Sequence, residues 1–186
     1  LGFMTVCGPD LEFYRDMLCC FTDLDKLKLY EERLEAMELT SAIDNILEEE
    51  PGLLDDPVTQ PENEASVILG AKFDGNLLLF TGDAGVRALV RAATEYDLRA
   101  CRWMQIPHHG SRRNITRGLI EHFRPETAFV SAEGNKKHPR RAVVNAFKNV
   151  GTAVYSTHYP NGWHLRFHLG TVPPRVGYIS ATALWD

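Results

Sequence analysis

The residues best equipped for chemistry lie between Thr81 and His138 of this 186-residue chain. Three apolar runs end in polar motifs: Thr81-Gly82-Asp83, Ile106-Pro107-His108-His109-Gly110-Ser111, and Gly134-Asn135-Lys136-Lys137-His138-Pro139. A carboxylate and imidazoles delivered to strand ends bring hard and borderline metal ligands to one sheet edge, where α/β proteins build their sites. Asp83 follows an apolar run directly, and an ionised carboxylate there is costly unless it is paired, capping or metal-bound. The competing reading is an ordinary N-cap for a helix starting at Ala84. Two adjacent imidazoles after Pro107 have few packing reasons to be there, and Gly110 lets backbone approach a ligand closely. Neighbours on a strand point to opposite faces, so one of the pair faces the site while the other supports it. His109 is the favoured ligand and His108 the alternative.

His138 reads as a ligand or proton donor. Asn135 and Lys136, with Lys137, lie just ahead of a predicted helix and suit an anionic substrate; Ser111 and Arg112 extend that substrate-binding set beyond the histidine pair, and Arg113 adds positive charge suited to phosphate. No nucleophile-elbow pattern surrounds Ser111, which argues against a serine-hydrolase triad. All seven histidines follow residue 107, and His158 also falls near a strand end. His122, His164 and His168 read as ordinary helix and sheet positions.

These residues need strands that end together. Residues 66–73 and 77–81 are β-rich runs joined by Asp74-Gly75-Asn76, a hairpin signal. Helical spacing covers 84–96, 115–123 and 139–149, interleaved with strands at 100–106, 127–131 and 152–157. Asn161-Gly162 predicts a turn into a return strand over 163–169. Upstream, a strand at 3–6 precedes a helix over 11–20 capped by Asp10. A second helix capped by Asp23 carries Leu24, Leu27, Leu34 and Met37. Residues 48–64 are acidic and broken by proline, which predicts a mobile surface loop. The expectation is one α/β domain over 1–186: strand plus helices at 1–47, loop at 48–64, and a sheet-and-helix core at 65–170 bearing the site.

A hydrophobic content of 44% with 24% charged residues is that of a globular domain, and no apolar run is long enough to cross a bilayer. The net charge of −5 disfavours a surface that grips nucleic acid at large, leaving room for a local basic patch. Cys7, Cys19, Cys20 and Cys101 show no CxxC spacing and read as reduced, mostly buried thiols of a cytoplasmic protein.

Taken in order, Asn63-Glu64-Ala65-Ser66, Thr81-Gly82-Asp83, Ile106-Pro107-His108-His109-Gly110-Ser111 and His138-Pro139 resemble the second half of a metallo-β-lactamase-fold hydrolase of the ComEC competence type, in particular its soluble members. The resemblance runs from about residue 62 to 167. It implies an αββα sandwich with one or two metal ions at the sheet edge, zinc or manganese. Asp83 then corresponds to the carboxylate that bridges the metals, the 108–109 pair to a later ligand position, and His138 to a motif histidine nearby. The implied substrate is a phosphodiester or nucleic acid. The family's first-half signature, H-x-H-x-D-H or H-x-D-x-D-H, is missing, since no histidine precedes His108. The expectation is therefore that this chain is the C-terminal portion of the fold. Its remaining ligands would lie upstream in the same polypeptide or on a partner chain, and it would be inactive alone. The rival expectation is a non-catalytic binding or assembly module on the same scaffold, with its acidic N-terminal part as a partner surface.

Overall fold

A computed structural model describes residues 2–23, 25–26, 28–29, 31–33, 35–36, 52–132, 138–157, 164–166 and 178–180. Its centre is a hairpin. Asp74 and Gly75 adopt φ of 49° and 78°, the left-handed pair of a two-residue turn matched to strand twist, and join β2 (Ile68–Phe73) to β3 (Asn76–Phe80). On the outer side of β2, β1 (Phe3–Gly8) pairs antiparallel; beyond β3, β4 (Trp103–Gln105), β5 (Thr127–Val130) and β6 (Ala153–Ser156) follow in parallel. Parallel neighbours need crossovers, and three helices supply them: α3 (Val86–Glu95), α4 (Arg117–Phe123) and α5 (Arg141–Asn149). Ahead of the hairpin come α1 (Leu11–Thr22), helical residues between 25 and 36, and α2 (Pro61–Glu64). Thus the six strands lie in chain order from β1 to β6 in one mixed sheet, and the architecture is α/β, as expected.

The two faces of this sheet differ. Cys7, Leu77, Leu79, Met104, Ala128, Val130 and Val154 face the helices and join Phe13, Met17, Leu89, Ile120, Phe123, Val144 and Phe147 in the core. Each large side chain in that set contributes roughly 1.5–3 kcal/mol by leaving water. Strand alternation puts Met4, Val6, Leu69, Leu78, Phe80, Trp103, Phe129 and Tyr155 on the opposite face, and none of them joins the helix-backed core. A row of aromatics crosses this face, with ring centroids 5.0 Å apart for Phe80 and Trp103, 5.9 Å for Trp103 and Phe129, and 5.3 Å for Phe129 and Tyr155. Met4 and Val6 are 70% and 60% exposed at its rim.

Several expectations need correction. Residues 61–64 are not a mobile surface loop: Pro57, Thr59, Pro61 and Glu64 are buried, because Glu64 turns inward to cap a helix, as described below. Of the return arm expected at 163–169, only residues 164–166 are described, and they do not pair with 152–157. Instead β7 (His164–Arg166) pairs in parallel with β8 (Tyr178–Ser180), an unanticipated strand, in a separate two-stranded sheet. Asp23 caps as expected, its Oδ1 accepting from the backbone N–H groups of Asp25 and Lys26, whereas Leu24, Leu27, Leu34 and Met37 lie outside the described residues. None of the four cysteines is in a disulfide; Cys7, Cys20 and Cys101 are buried and Cys19 is exposed. Among the described residues no helix is long and apolar enough to cross a membrane.

Candidate functional site

The Thr81-Gly82-Asp83 turn and the histidine turn are laced together at adjoining strand ends. Thr81 Oγ1 donates to the Gln105 carbonyl at 2.9 Å, Gly82 N–H donates to Gln105 Oε1 at 3.4 Å, and His108 N–H donates to the Gly82 carbonyl at 3.1 Å. Buried Thr81 thus leaves its strand already tied to the next one, which brings Asp83 beside His108.

The histidine pair does not continue the strand. His108 and His109 take φ of 44° and 56°, and Gly110 takes 79°, giving three consecutive left-handed residues. For the two histidines this costs on the order of 1–2 kcal/mol each, so the surroundings must hold it. They do: Ser111 N–H donates to the His108 carbonyl at 3.0 Å, and Arg140 N–H donates to the Gly110 carbonyl at 3.1 Å. A Cβ on Gly110 would stand 2.7 Å from Pro139 Cβ, so the turn and the His138-Pro139 segment fit only with glycine there. Strain kept against its cost concentrates at working sites. The expectation that His108 and His109 point to opposite faces of a strand is therefore replaced by a tight left-handed turn, with ring centroids 5.9 Å apart.

His108 is half-buried and its ring lies 5.8 Å, centroid to centroid, from that of His138. Its Nδ1 lies 3.1 Å from Asn114 Oδ1 and 3.3 Å from Asn63 Nδ2. Asn114 is fully buried, and its amide nitrogen donates to the Asp83 carbonyl at 2.9 Å and the Ala84 carbonyl at 3.4 Å. Asn63 Nδ2 also reaches Thr59 Oγ1 at 2.8 Å. His109 is exposed, and its Nδ1 hydrogen-bonds the Ser131 carbonyl. A carbonyl can only accept, so that nitrogen carries the proton, and in the neutral ring this leaves the lone pair on Nε2, the arrangement usual in metal-ligating histidines. In kind and tautomer this donor fits a borderline metal. In number the described residues fall short, since no three His, Cys, Asp or Glu side chains among them converge as a metal-holding group.

Asp83 does not cap the helix that follows it. The N-cap of α3 is Gly85, without a side-chain bond of its own, and the first turn is served instead by Glu64 of α2, whose Oε2 accepts from Ala88 N–H at 2.9 Å. Glu64 is 2% exposed; burial raises its carboxyl above the ordinary range, while bonds from the Ala88 and Arg87 backbone pull the other way. A Cβ on Gly85 would meet Glu64 Oε1 at 2.2 Å, so this remote cap requires glycine beside it. Asp83 is thereby spared capping work, and α2 holds Asn63 against His108.

Of the other residues expected in the site, Ser111 is 5% exposed and its Oγ accepts from Arg113 N–H at 3.2 Å, a turn-forming role. Arg112 is also only 5% exposed. Asn135, Lys136, Lys137 and His158 lie outside the described residues. Sequence reasoning missed Thr59, Asn114 and the inward role of Glu64. The sequence signal lay in Asn63-Glu64 ahead of the hairpin and in Asn114 three residues past Ser111, polar residues close to the Asp83 and histidine motifs in the chain. No model of a known protein family matches this chain, and no curated protein does.

Proposed function

We propose that this chain is the C-terminal portion of a metal-dependent hydrolase with a metallo-β-lactamase-like αββα sandwich, acting on phosphodiester or nucleic acid substrates. The observation that carries the reading is the strained, left-handed His108–His109 turn, tied by backbone hydrogen bonding to the Asp83 turn and packed beside His138. Asp83, His108 and His109 would hold one or two zinc or manganese ions, with the rest of the ligands from an upstream half in the same polypeptide or on a partner. Bound there, such an ion activates water and stabilises charge on the scissile ester. This chain's residues supply oriented imidazoles, a carboxylate free of capping duty, and a proton donor in His138. Arg112, Asn135 and Lys136 accompany the anionic substrate, with Ser111 shaping the turn. The apolar face with its aromatic row supports the same reading, because a sheet backed by helices on one side and apolar on the other is built to pack against a second sheet.

Elemental analysis of this chain, of the protein extended upstream, and of the extended Asp83→Ala variant tests the proposal. Stoichiometric metal and phosphodiesterase turnover in the extended protein, both lost in the variant, are the expected result. Absence of metal from the extended protein would instead favour a non-catalytic assembly module.

A further inference from the structure

Asn114 stands at a crossing point that the proposed ligand set does not include. Its side chain is wholly enclosed, and its two ends face opposite demands: the nitrogen meets the backbone carbonyls of Asp83 and Ala84, and the oxygen meets His108 Nδ1. Reversing the amide would set its oxygen against two carbonyl oxygens, so the orientation is settled by its surroundings. With that oxygen 3.1 Å away, His108 Nδ1 must carry a proton. Asn63 alone would ask for the reverse, since its nitrogen lies 3.3 Å from the same Nδ1. However, the other contact of that nitrogen is the Thr59 hydroxyl, which donates as readily as it accepts. Turning the Asn63 amide over keeps the Thr59 bond and gives His108 a second acceptor, whereas Asn114 has no such freedom.

We infer that Asn114 is a positioning residue that fixes the proton of His108 on Nδ1 and leaves the Nε2 lone pair for a ligand, while holding the backbone of the Asp83 turn with the same side chain. The value of this for metal binding rests on the proposed hydrolase reading; the proton placement does not. One buried amide thereby couples the two ligand-bearing turns, Asp83 through its carbonyl and His108 through its ring. His109 is oriented in parallel fashion by the Ser131 carbonyl, so both imidazoles of the pair present Nε2. A burial of this kind is costly for an amide unless every polar atom is satisfied, and here each one is.

The test is a long-range proton–nitrogen correlation spectrum of the histidine-labelled chain at about pH 8, above the ordinary imidazole range, with His108 assigned by its loss in His108→Gln. The expected spectrum shows His108 protonated on Nδ1 and bare on Nε2. A proton on Nε2 in the unmutated chain overturns the inference whatever any variant does. Asn63→Ala, which removes its contact with the ring altogether, should leave the pattern unchanged; release of the proton to a mixture of the two forms in that variant would show that Asn63 and not Asn114 sets it. Asn114→Asp should keep the proton on Nδ1, and Asn114→Ala should release it to a mixture of the two forms. In the extended protein Asn114→Ala should weaken metal binding about 10–100-fold. Nδ1 protonation found together with an extended protein that takes up no metal would sustain the positioning role and sink the hydrolase reading, so the two failures are separable.

Discussion

Glu64 is the residue on which the site's support turns, and removing it has a calculable consequence. Its carboxylate serves the first turn of α3 from another helix, accepting from Ala88 N–H at 2.9 Å. Glu64→Ala leaves that turn without its acceptor. The loss of a helix cap costs about 0.5–2 kcal/mol, and a buried N–H left unmet adds about 1–3 kcal/mol. Against this stands relief from burying a carboxylate that is 2% exposed, so the net loss at neutral pH should be about 2 kcal/mol. For a chain of this size that lowers the melting temperature by about 4–8 °C. Glu64→Gln keeps an acceptor oxygen and discards the charge, and should stay within about 1 kcal/mol of the parent.

The pH dependence carries the sign. Because burial raises the folded-state value, the folded protein holds this proton more tightly than the unfolded chain. Stability from this group is therefore full below the ordinary glutamate range and is lost as pH rises through the raised value. Urea titrations from about pH 4 to pH 8 on the parent and Glu64→Gln isolate the effect, since other groups cancel in the difference. The parent should lose ground to Glu64→Gln as pH rises. A difference that is flat, or that grows in the parent's favour, would refute the buried-cap argument. Gly85→Ala supplies a cross-check: its Cβ would collide with Glu64 Oε1 at 2.2 Å, so the damage should shrink when Glu64 is already alanine.

Gly110→Ala should cost about 2–4 kcal/mol by chemical denaturation, from the left-handed backbone and from crowding Pro139, and should displace His138 with it; a loss under 1 kcal/mol would mean the turn is not so held. Burial pushes the Cys101 thiol up to about 12, so at pH 8 a thiol reagent should modify exposed Cys19 in the folded chain and reach Cys101 only on unfolding, as peptide mass mapping would show. Phe80→Lys, at a position 38% exposed on the aromatic face, should cost this chain under about 1 kcal/mol; in the upstream-extended protein it should cost several times more if a second sheet covers that face.

The hairpin and the alternating strands and helices after it were legible because their signals are local. Asp74-Gly75 dictates its turn through backbone preference, and the apolar periods of 86–95 and 141–149 mark helix faces whatever lies opposite. The strand-end positions of the Thr81-Gly82-Asp83 and Ile106–Ser111 motifs were legible for the same reason, while of the third motif only His138 and Pro139 are among the described residues. What the sequence could not disclose depends on partners distant in the chain. Glu64 sits in a stretch that is acidic and broken by proline, and local chemistry makes that a solvated loop; only the uncapped start of α3, 24 residues on, draws the carboxylate inward. The left-handed path of His108 and His109 runs against the preference of both residues and exists because Gly82, Ser111 and Arg140 fasten it from separate segments. Asn114 reads in the sequence as one more polar loop residue. Its role emerges only where the Asp83 turn and the His108 ring close around its two ends, because hydrogen-bond direction is set by which atoms meet, and only the folded sheet edge makes them meet.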